Sequence, residues 1–396
     1  MQVALISEHY PPMRTSAAIQ MQDLAIELFR QGHEPIVITP SNGINTEWEA
    51  GFMDGIQVLR LAVGRTHKTG SYFLRTLSEF LLPFSMIYKL RKSPFNDLQW
   101  KLIIWWSPSI FFGPLIWKMK RSAGCKTYLI LRDIFPEWAL DLGLIRKGVT
   151  YAFFKLIANF QYSTADTIGV QTKSNLTYLT DWANRPHRNL QVLQNWQTPR
   201  KNIGSSINVT NTSLAGRKIF AYIGNMGIAQ GMDIFIDLAE KLNNNEDLGF
   251  LFVGRGSEVL RLKACIKELS LSNILFFDEI DPQEIPGLLE QCHIGLLALD
   301  PRHTTHNIPG KFLTYLLASL PVLARVNPGT DLAHLIEEEG LGKVYVGDSV
   351  VELIALADEI IYNQKSYEKM ASRGQKLAKK MFSSKTAAQQ IINTIK

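Results

Sequence analysis

Short apolar runs alternate with helix-length segments along almost the whole chain. In the first half the runs are "VALIS" (3–7), "PIVIT" (35–39), "IQVLRLA" (56–62), "LIIWW" (102–106), "TYLILRD" (127–133), "TIGVQT" (167–172) and "LQVLQN" (190–195). In the second half they are "KIFAYIGN" (218–225), "GFLFVG" (249–254), "NILFFDEI" (273–280), "IGLLAL" (294–299), "PVLARV" (321–326) and "GKVYVG" (342–347). Runs that stay apolar, rather than alternating with polar residues, suit strands buried on both faces, as in parallel sheets covered by helices. The pattern predicts an α/β architecture of two Rossmann-like, doubly wound parallel-sheet domains. The segment between the two series, "TPRKNIGSSINVTNTSLAGR", is rich in Ser, Thr and Asn, lacks aromatic residues and reads as a linker. The expected organisation is an N-terminal domain 1–197, a linker 198–217, a C-terminal domain 218–380 and a helical tail 381–396 placed to pack back on the N-terminal domain. A first helix is expected over Ser16–Arg30, stopped at Gly32.

Composition narrows the class. At 396 residues the chain is long enough for two cores. Its 46% hydrophobic and 20% charged residues exclude global disorder. Cys125, Cys265 and Cys292 stand singly, without metal-type spacing, which fits a reducing compartment and gives no support to a structural zinc site. The start "MQVALISEHYPP" lacks the basic and long apolar regions of a signal peptide. No run approaches the roughly 18 apolar residues of a membrane span. A cytoplasmic protein is expected.

Charge is unevenly spread. Residues 1–200 hold 22 Lys and Arg against 14 acids, and residues 201–396 hold 20 against 22. Between Arg60 and Lys126 there are twelve bases and two acids, Glu79 and Asp97, interleaved with Trp, Phe and Leu. That mixture suits the face of an anionic membrane, with Tyr72–Lys92 and Trp117–Arg121 as the contacting segments. It also suits core helices whose basic heads snorkel to solvent. Neither a recognition helix nor an RNA-binding signature accompanies the charge, so no nucleic-acid partner is expected.

In open parallel sheets ligands sit beyond the carboxyl ends of the strands. The loop after "KIFAYI" carries Gly224, Asn225, Gly227, Gln230 and Gly231, and the loop after "GFLFV" carries Gly254, Arg255 and Gly256. Such glycines let backbone N–H groups approach a ligand, and they equally serve a plain turn. In "HNIPGKFLTYLLASLPVLA", Lys311 opens an apolar helix. A cation at a helix N-terminus reads as a phosphate site or as a solvated first turn. In "LRDIFPEWALDLG", Asp133 ends a strand and Glu137 opens a helix, in a functional role or merely favouring the helix dipole. His9 follows the first strand.

The ordered set "RDIFPEW", "YIGNMGIAQGMD", "LFVGRGSE", "IPGKFLTYLLASLPVLARV" and "GTDLAHLIEEEGLG" resembles the GT-B glycosyltransferases of family 4, in the bacterial subgroup that contains the FucNAc transferase WbuB. The resemblance covers nearly the whole chain. It implies two Rossmann-like domains facing across a cleft, with a nucleotide-sugar donor on the C-terminal one and an acceptor on the N-terminal one. Lys311 would then sit on the donor diphosphate, with Gly224, Asn225, Gly227, Gln230 and Gly254 beside it and Ile308, Pro309 and Gly310 presenting backbone groups. Arg255 and Ile280 would meet the base. Asp133 and Glu137 would orient the acceptor hydroxyl, with His9, Arg14 and Ser16 as further acceptor contacts. The resemblance further implies a retaining reaction, a UDP-sugar such as a FucNAc donor, and a polyprenyl-diphosphate-linked acceptor in O-antigen or capsule synthesis, at the inner face of the plasma membrane. With no D-x-D element, a metal-independent mechanism without cofactors is expected.

The chain departs from the family at two places. Thr314 and His306 stand where the E-x7-E pattern has acids, the second of which binds the ribose hydroxyls, and "PPMRTSAAIQ" replaces a glycine-rich loop after the first strand. The competing readings are a UDP-sugar 2-epimerase of the same fold and a non-catalytic sugar-nucleotide-binding subunit.

Overall fold

The apolar runs form strands close to where the pattern puts them. A computed structural model describes residues 1–64, 72–141, 143–300 and 307–395, and the chain divides into two units, Met1–Trp196 with Ser384–Lys396, and Gln197–Ser383.

The first unit holds strands β1 (Gln2–Ile6), β2 (Glu34–Ser41), β3 (Trp48–Met53), β4 (Ile56–Ala62), β5 (Leu102–Ser107), β6 (Lys126–Leu131), β7 (Thr167–Val170) and β8 (Asn189–Val192). They lie in the order β3-β4-β2-β1-β5-β6-β7-β8, parallel except for the β3–β4 pair. Strand β3 is the one the apolar pattern does not announce. Its residues "WEAGFM" are mostly exposed at the sheet edge, and it exists because Asp54 and Gly55, at φ 51 and 78, close a tight hairpin onto β4. The remaining strands are covered on both faces. The helices Ser16–Arg30 and Ser384–Asn393 pack on one side through Met21, Leu24, Leu28, Ala388 and Ile391. The helices Tyr72–Arg91, Gly113–Ala123 and Val149–Thr164 cover the other. The C-terminal helix is held to this unit further by Gln390, whose Nε2 donates to the Val192 carbonyl at 2.7 Å. Helix Ser16–Arg30 has the predicted bounds. Thr15 caps its start by accepting from the Ala18 N–H, and Gly32, at φ 81, turns the chain out of its end.

The second unit holds β9 (Lys218–Ile223), β10 (Leu248–Val253), β11 (Ile274–Phe277), β12 (Ile294–Ala298), β13 (Val322–Arg325) and β14 (Gly342–Tyr345), all parallel in the order β11-β10-β9-β12-β13-β14. The segment 198–217 is not a free tether. Ile207, Val209 and Leu214 are buried in this unit's core, and Gln291 accepts from Val209 N and donates to Ile207 O. Its Ser, Thr and Asn residues serve local turns around those three apolar anchors, as where Asn208 accepts from Thr210 N. Among the described residues no helix is long and apolar enough to cross a membrane.

Candidate functional site

In the second unit the carboxyl ends of β11, β10, β9 and β12 stand side by side, so the loops leaving them form one edge. The β9 and β10 loops touch backbone to backbone. Gly224 N donates to Val253 O at 2.9 Å, and Met226 N donates to Arg255 O at 2.7 Å. A Cβ on Gly254 would lie 1.9 Å from the Gly224 carbonyl oxygen, and one on Gly256 would lie 2.2 Å from that of Met226. These two glycines are needed for contact, whatever else the loops do. The following turn is fixed by Gln230, whose Oε1 accepts from Gly227 N at 2.8 Å and from Asn225 Nδ2 at 3.1 Å.

Lys311 joins this edge from the helix Gly310–Leu317, which begins at the extended residue Pro309. Its ammonium donates to the Tyr222 hydroxyl and lies 3.9 Å from the centre of the Tyr222 ring. Its stem passes 3.8 Å from where a Cβ on Gly224 would be. The Tyr222 hydroxyl in turn donates to the Asn225 carbonyl at 2.8 Å, linking the lysine to the β9 turn. Lys311 keeps part of its surface in solvent, but the charged end is withdrawn against the ring, and that burial pulls its pKa down to about 7. The cluster therefore offers a half-neutralised amine and a helix N-terminus beside a glycine turn, a combination that gains most from an anion.

The other expected residues of this unit divide. Ile308, Pro309 and Gly310 lead directly into the lysine helix. Arg255, exposed, pairs with Glu279 at 3.1 Å across the ends of β10 and β11, next to Ile280. Thr314 is engaged within the unit. Its hydroxyl donates to Gln197 Oε1 at 3.0 Å and lies 3.2 Å from the Gly310 carbonyl of its own helix. His306 lies outside the described residues. Tyr222 and Gln197 were missed by sequence reasoning. The tyrosine looks like any core residue of "KIFAYI", although its position one residue before the strand's end was the available signal.

The first unit brings its expected residues to one edge less tightly. His9 follows β1 and Asp133 follows β6, with β5 between, so the two strand ends are about 10 Å apart by strand spacing. His9 is half-buried, its Nδ1 is 3.3 Å from Thr15 Oγ1, and burial lowers its pKa. Arg14 and Ser16 are exposed at the start of the first helix, where Ser16 Oγ accepts from Gln20 Nε2 at 3.1 Å. Glu137 is not an open carboxylate. Lys155 donates to it, and the Tyr151 hydroxyl stands 3.5 Å away, so it ties two helices together. Glu8, beside His9, was overlooked. Burial raises its pKa to about 7, the Glu79 charge adds to this, and Arg75 opposes it. An acid just after a strand was the signal.

Asp133 is preceded by Arg132, a buried arginine held between the rings of Trp106 and Trp196 at 5.1 and 5.0 Å from their centres. Its guanidinium donates to the carbonyls of Leu193 and Gln194, which fixes the end of β6 and the backbone carrying Asp133. Among the described residues, no cluster of three or more His, Cys, Asp or Glu is arranged to hold a metal ion.

Residues 208–377 match the family model of glycosyl transferases group 1. The chain is 27% identical over 250 residues to "Probable glycosyltransferase WbjE" of Pseudomonas aeruginosa, a match covering 61% of each chain. It is 24% identical over 269 residues to WcaI of Escherichia coli K12, which carries the name of a colanic acid biosynthesis glycosyl transferase, covering 65% of this chain and 66% of the other. The chain thus spans a little under two thirds of the length of these relatives. Among solved structures, Alr3699/HepE of Anabaena in complex with UDP-glucose aligns with a TM-score of 0.69 at 16% identity, over 100% of this chain and 99% of the other. The fold is that of the GT-B glycosyltransferases.

Proposed function

We propose that this chain, whose residues 208–377 match the glycosyl transferases group 1 model, is a nucleotide-sugar-dependent glycosyltransferase of bacterial surface-polysaccharide synthesis. The observation that carries the proposal is Lys311, held at a helix N-terminus against the glycine turn of β9. In this reading the donor is a UDP-sugar, with FucNAc the expected sugar, and its diphosphate lies between Lys311 and the loop 224–227. Lys311, Gly310 N–H and the helix dipole stabilise charge as the glycosidic C–O bond breaks, because the developing anion is the leaving diphosphate. Arg255 with Glu279 meets the base, and the Gln197–Thr314 pair takes the place of the ribose-binding acid of the family. The acceptor is a polyprenyl-diphosphate-linked saccharide held by the first unit, with Asp133 and Glu8 nearest to the reacting hydroxyl and Glu137, tied to Lys155, at the start of the helix that follows Asp133. The acceptor oxygen bonds to the anomeric carbon on the face from which the diphosphate leaves, which retains the configuration, and passes its proton to the departing phosphate; the step as proposed uses neither a metal nor a cofactor.

A mass-spectrometric screen of UDP-, GDP- and dTDP-sugars against polyprenyl-diphosphate-sugar analogues tests this reading. Sugar transfer that requires the lipid acceptor supports it. A donor epimerised without acceptor, or bound and never turned over, would favour the epimerase or the binding subunit.

A further inference from the structure

The helix layer on one face of the first unit has two outer surfaces that water should not favour. Helix Tyr72–Arg91 exposes Leu74, Leu77, Leu81, Phe84 and Tyr88, at intervals of three or four residues along a single line. Helix Val149–Thr164 exposes Val149, Phe153, Leu156 and Phe160 with the same spacing, Val149 at 87% and Leu156 at 70%. Helix Gly113–Ala123 packs between them and adds exposed Trp117. The inner faces of all three helices already fill the core under the sheet, so these outer lines are surplus to folding. Such a continuous exposed apolar area marks a contact with something else.

The charges indicate what that something is. The segments 72–123 and 144–164 hold eleven Lys and Arg and two acids. Several of these bases turn inward. Lys89 donates to the Ala62 carbonyl, Lys120 pairs with Asp166 and Lys155 with Glu137, whereas Lys92 pairs with Glu47 at the exposed surface. Arg91, Arg121, Arg146 and Lys147 stay exposed and Lys118 half-exposed, with the Arg121 guanidinium 5.5 Å from the centre of the Trp117 ring. Apolar lines accompanied by cations and an aromatic ring fit the acyl and headgroup layers of an anionic membrane. A two-fold dimer through the same face would set these cations against their copies.

We propose that the three-helix face of the first unit inserts into anionic membranes, with helix Val149–Thr164 as the principal apolar anchor. The engagement of Lys89, Lys120 and Lys155 with partners inside the unit shifts the weight of binding from the basic segment to the apolar lines. Binding therefore resists salt more than the charge count of the sequence suggests. The proposal does not rest on the transferase reading, because vesicle binding needs neither donor nor acceptor.

The test is co-sedimentation with phosphatidylglycerol-containing vesicles and with phosphatidylcholine vesicles, at low and high salt. The parent should bind the anionic vesicles and keep part of that binding at high salt. Val149→Glu with Leu156→Glu should weaken it by roughly tenfold or more at both salts. Lys118→Glu with Arg121→Glu should weaken it by a few-fold, at low salt only. Both pairs are at the surface, and unchanged melting temperature and circular dichroism verify folding; should the first pair misfold, Leu156→Ser replaces it with the same expectation in a smaller measure. A parent that ignores anionic vesicles, or a glutamate pair that binds as the parent does, overturns the proposal. A parent dimer that the glutamate pair dissociates, with no vesicle binding, overturns it in favour of self-association.

Discussion

At the carboxyl edge of the second sheet, the groups available to a ligand are mostly backbone, set by loops in van der Waals contact and joined by one buried cation. At the carboxyl edge of the first sheet they are side chains, spread over the ends of β1 and β6 and partly committed to one another. Backbone sites of the first kind depend on a few small residues and on close approach, so they hold one geometry for a ligand part that never varies, such as a diphosphate. Sites built from side chains can be altered one residue at a time, which suits an acceptor that differs between enzymes. The same physical effect, withdrawal from water, acts on both edges with opposite consequences. It lowers Lys311 to about 7 and raises Glu8 to about 7, so each edge holds a group that is half-charged near neutrality.

The contrast breaks first at the cation. Lys311→Ala should lower kcat/KM for the donor by roughly 10²–10³-fold, the cost of one preorganised electrostatic partner. Steady-state kinetics with saturating acceptor measures it, and unchanged turnover would leave Lys311 only its structural contact with Tyr222. Next comes the backbone contact. Gly254→Ala sets a methyl group against the Gly224 carbonyl and should cost about 1–3 kcal/mol in denaturant unfolding, together with loss of UDP binding. Stability and UDP affinity equal to the parent's would mean the two loops do not need to touch.

Thr314→Glu sharpens the comparison at the one place where the second unit relies on a side chain. A carboxylate there can accept from two ribose hydroxyls but loses the hydrogen bond to Gln197, so UDP affinity should rise by no more than about tenfold. Weaker binding by calorimetry would show that the pocket is built around the Gln197–Thr314 pair. The smallest effect is expected in the first unit. Glu137→Gln should cost about 1 kcal/mol of stability, since the partner Lys155 stays partly solvated, and should leave UDP affinity unchanged. A large loss of turnover at unchanged stability would instead give Glu137 a direct part in the reaction.

The sheet strands were legible because continuous apolarity is hard to imitate outside a buried strand, and the helices between them pointed to parallel pairing. Edge strand β3 was not, since its run WEAGFM is broken by Glu49 and Gly51 and stays mostly exposed, and only the Asp54-Gly55 turn gives it away. The glycines and Lys311 could be read because backbone access and isolated charge leave marks in a single sequence. Tyr222 under Lys311, Gln197 beside Thr314 and Lys155 on Glu137 could not, because each pairing joins residues far apart in the chain. The proposed membrane face was half legible. The basic aromatic segment pointed to Tyr72–Arg91, but the pairing of its lysines and the exposed line on Val149–Thr164 appear only when the helices are packed.

Binding of the donor diphosphate by Lys311, as proposed, has a direct thermodynamic signature. With its pKa near 7 in the free protein, Lys311 is about nine-tenths neutral at pH 8. A bound diphosphate favours the ammonium, so binding should draw in a proton, and UDP affinity should fall as pH rises above 7. Titration calorimetry of UDP at pH 8, in two buffers of different ionisation enthalpy, counts that proton. An uptake close to one proton per UDP is expected in the parent and close to none in Lys311→Ala, with weaker binding. Equal proton counts and equal affinities in the two proteins would contradict it.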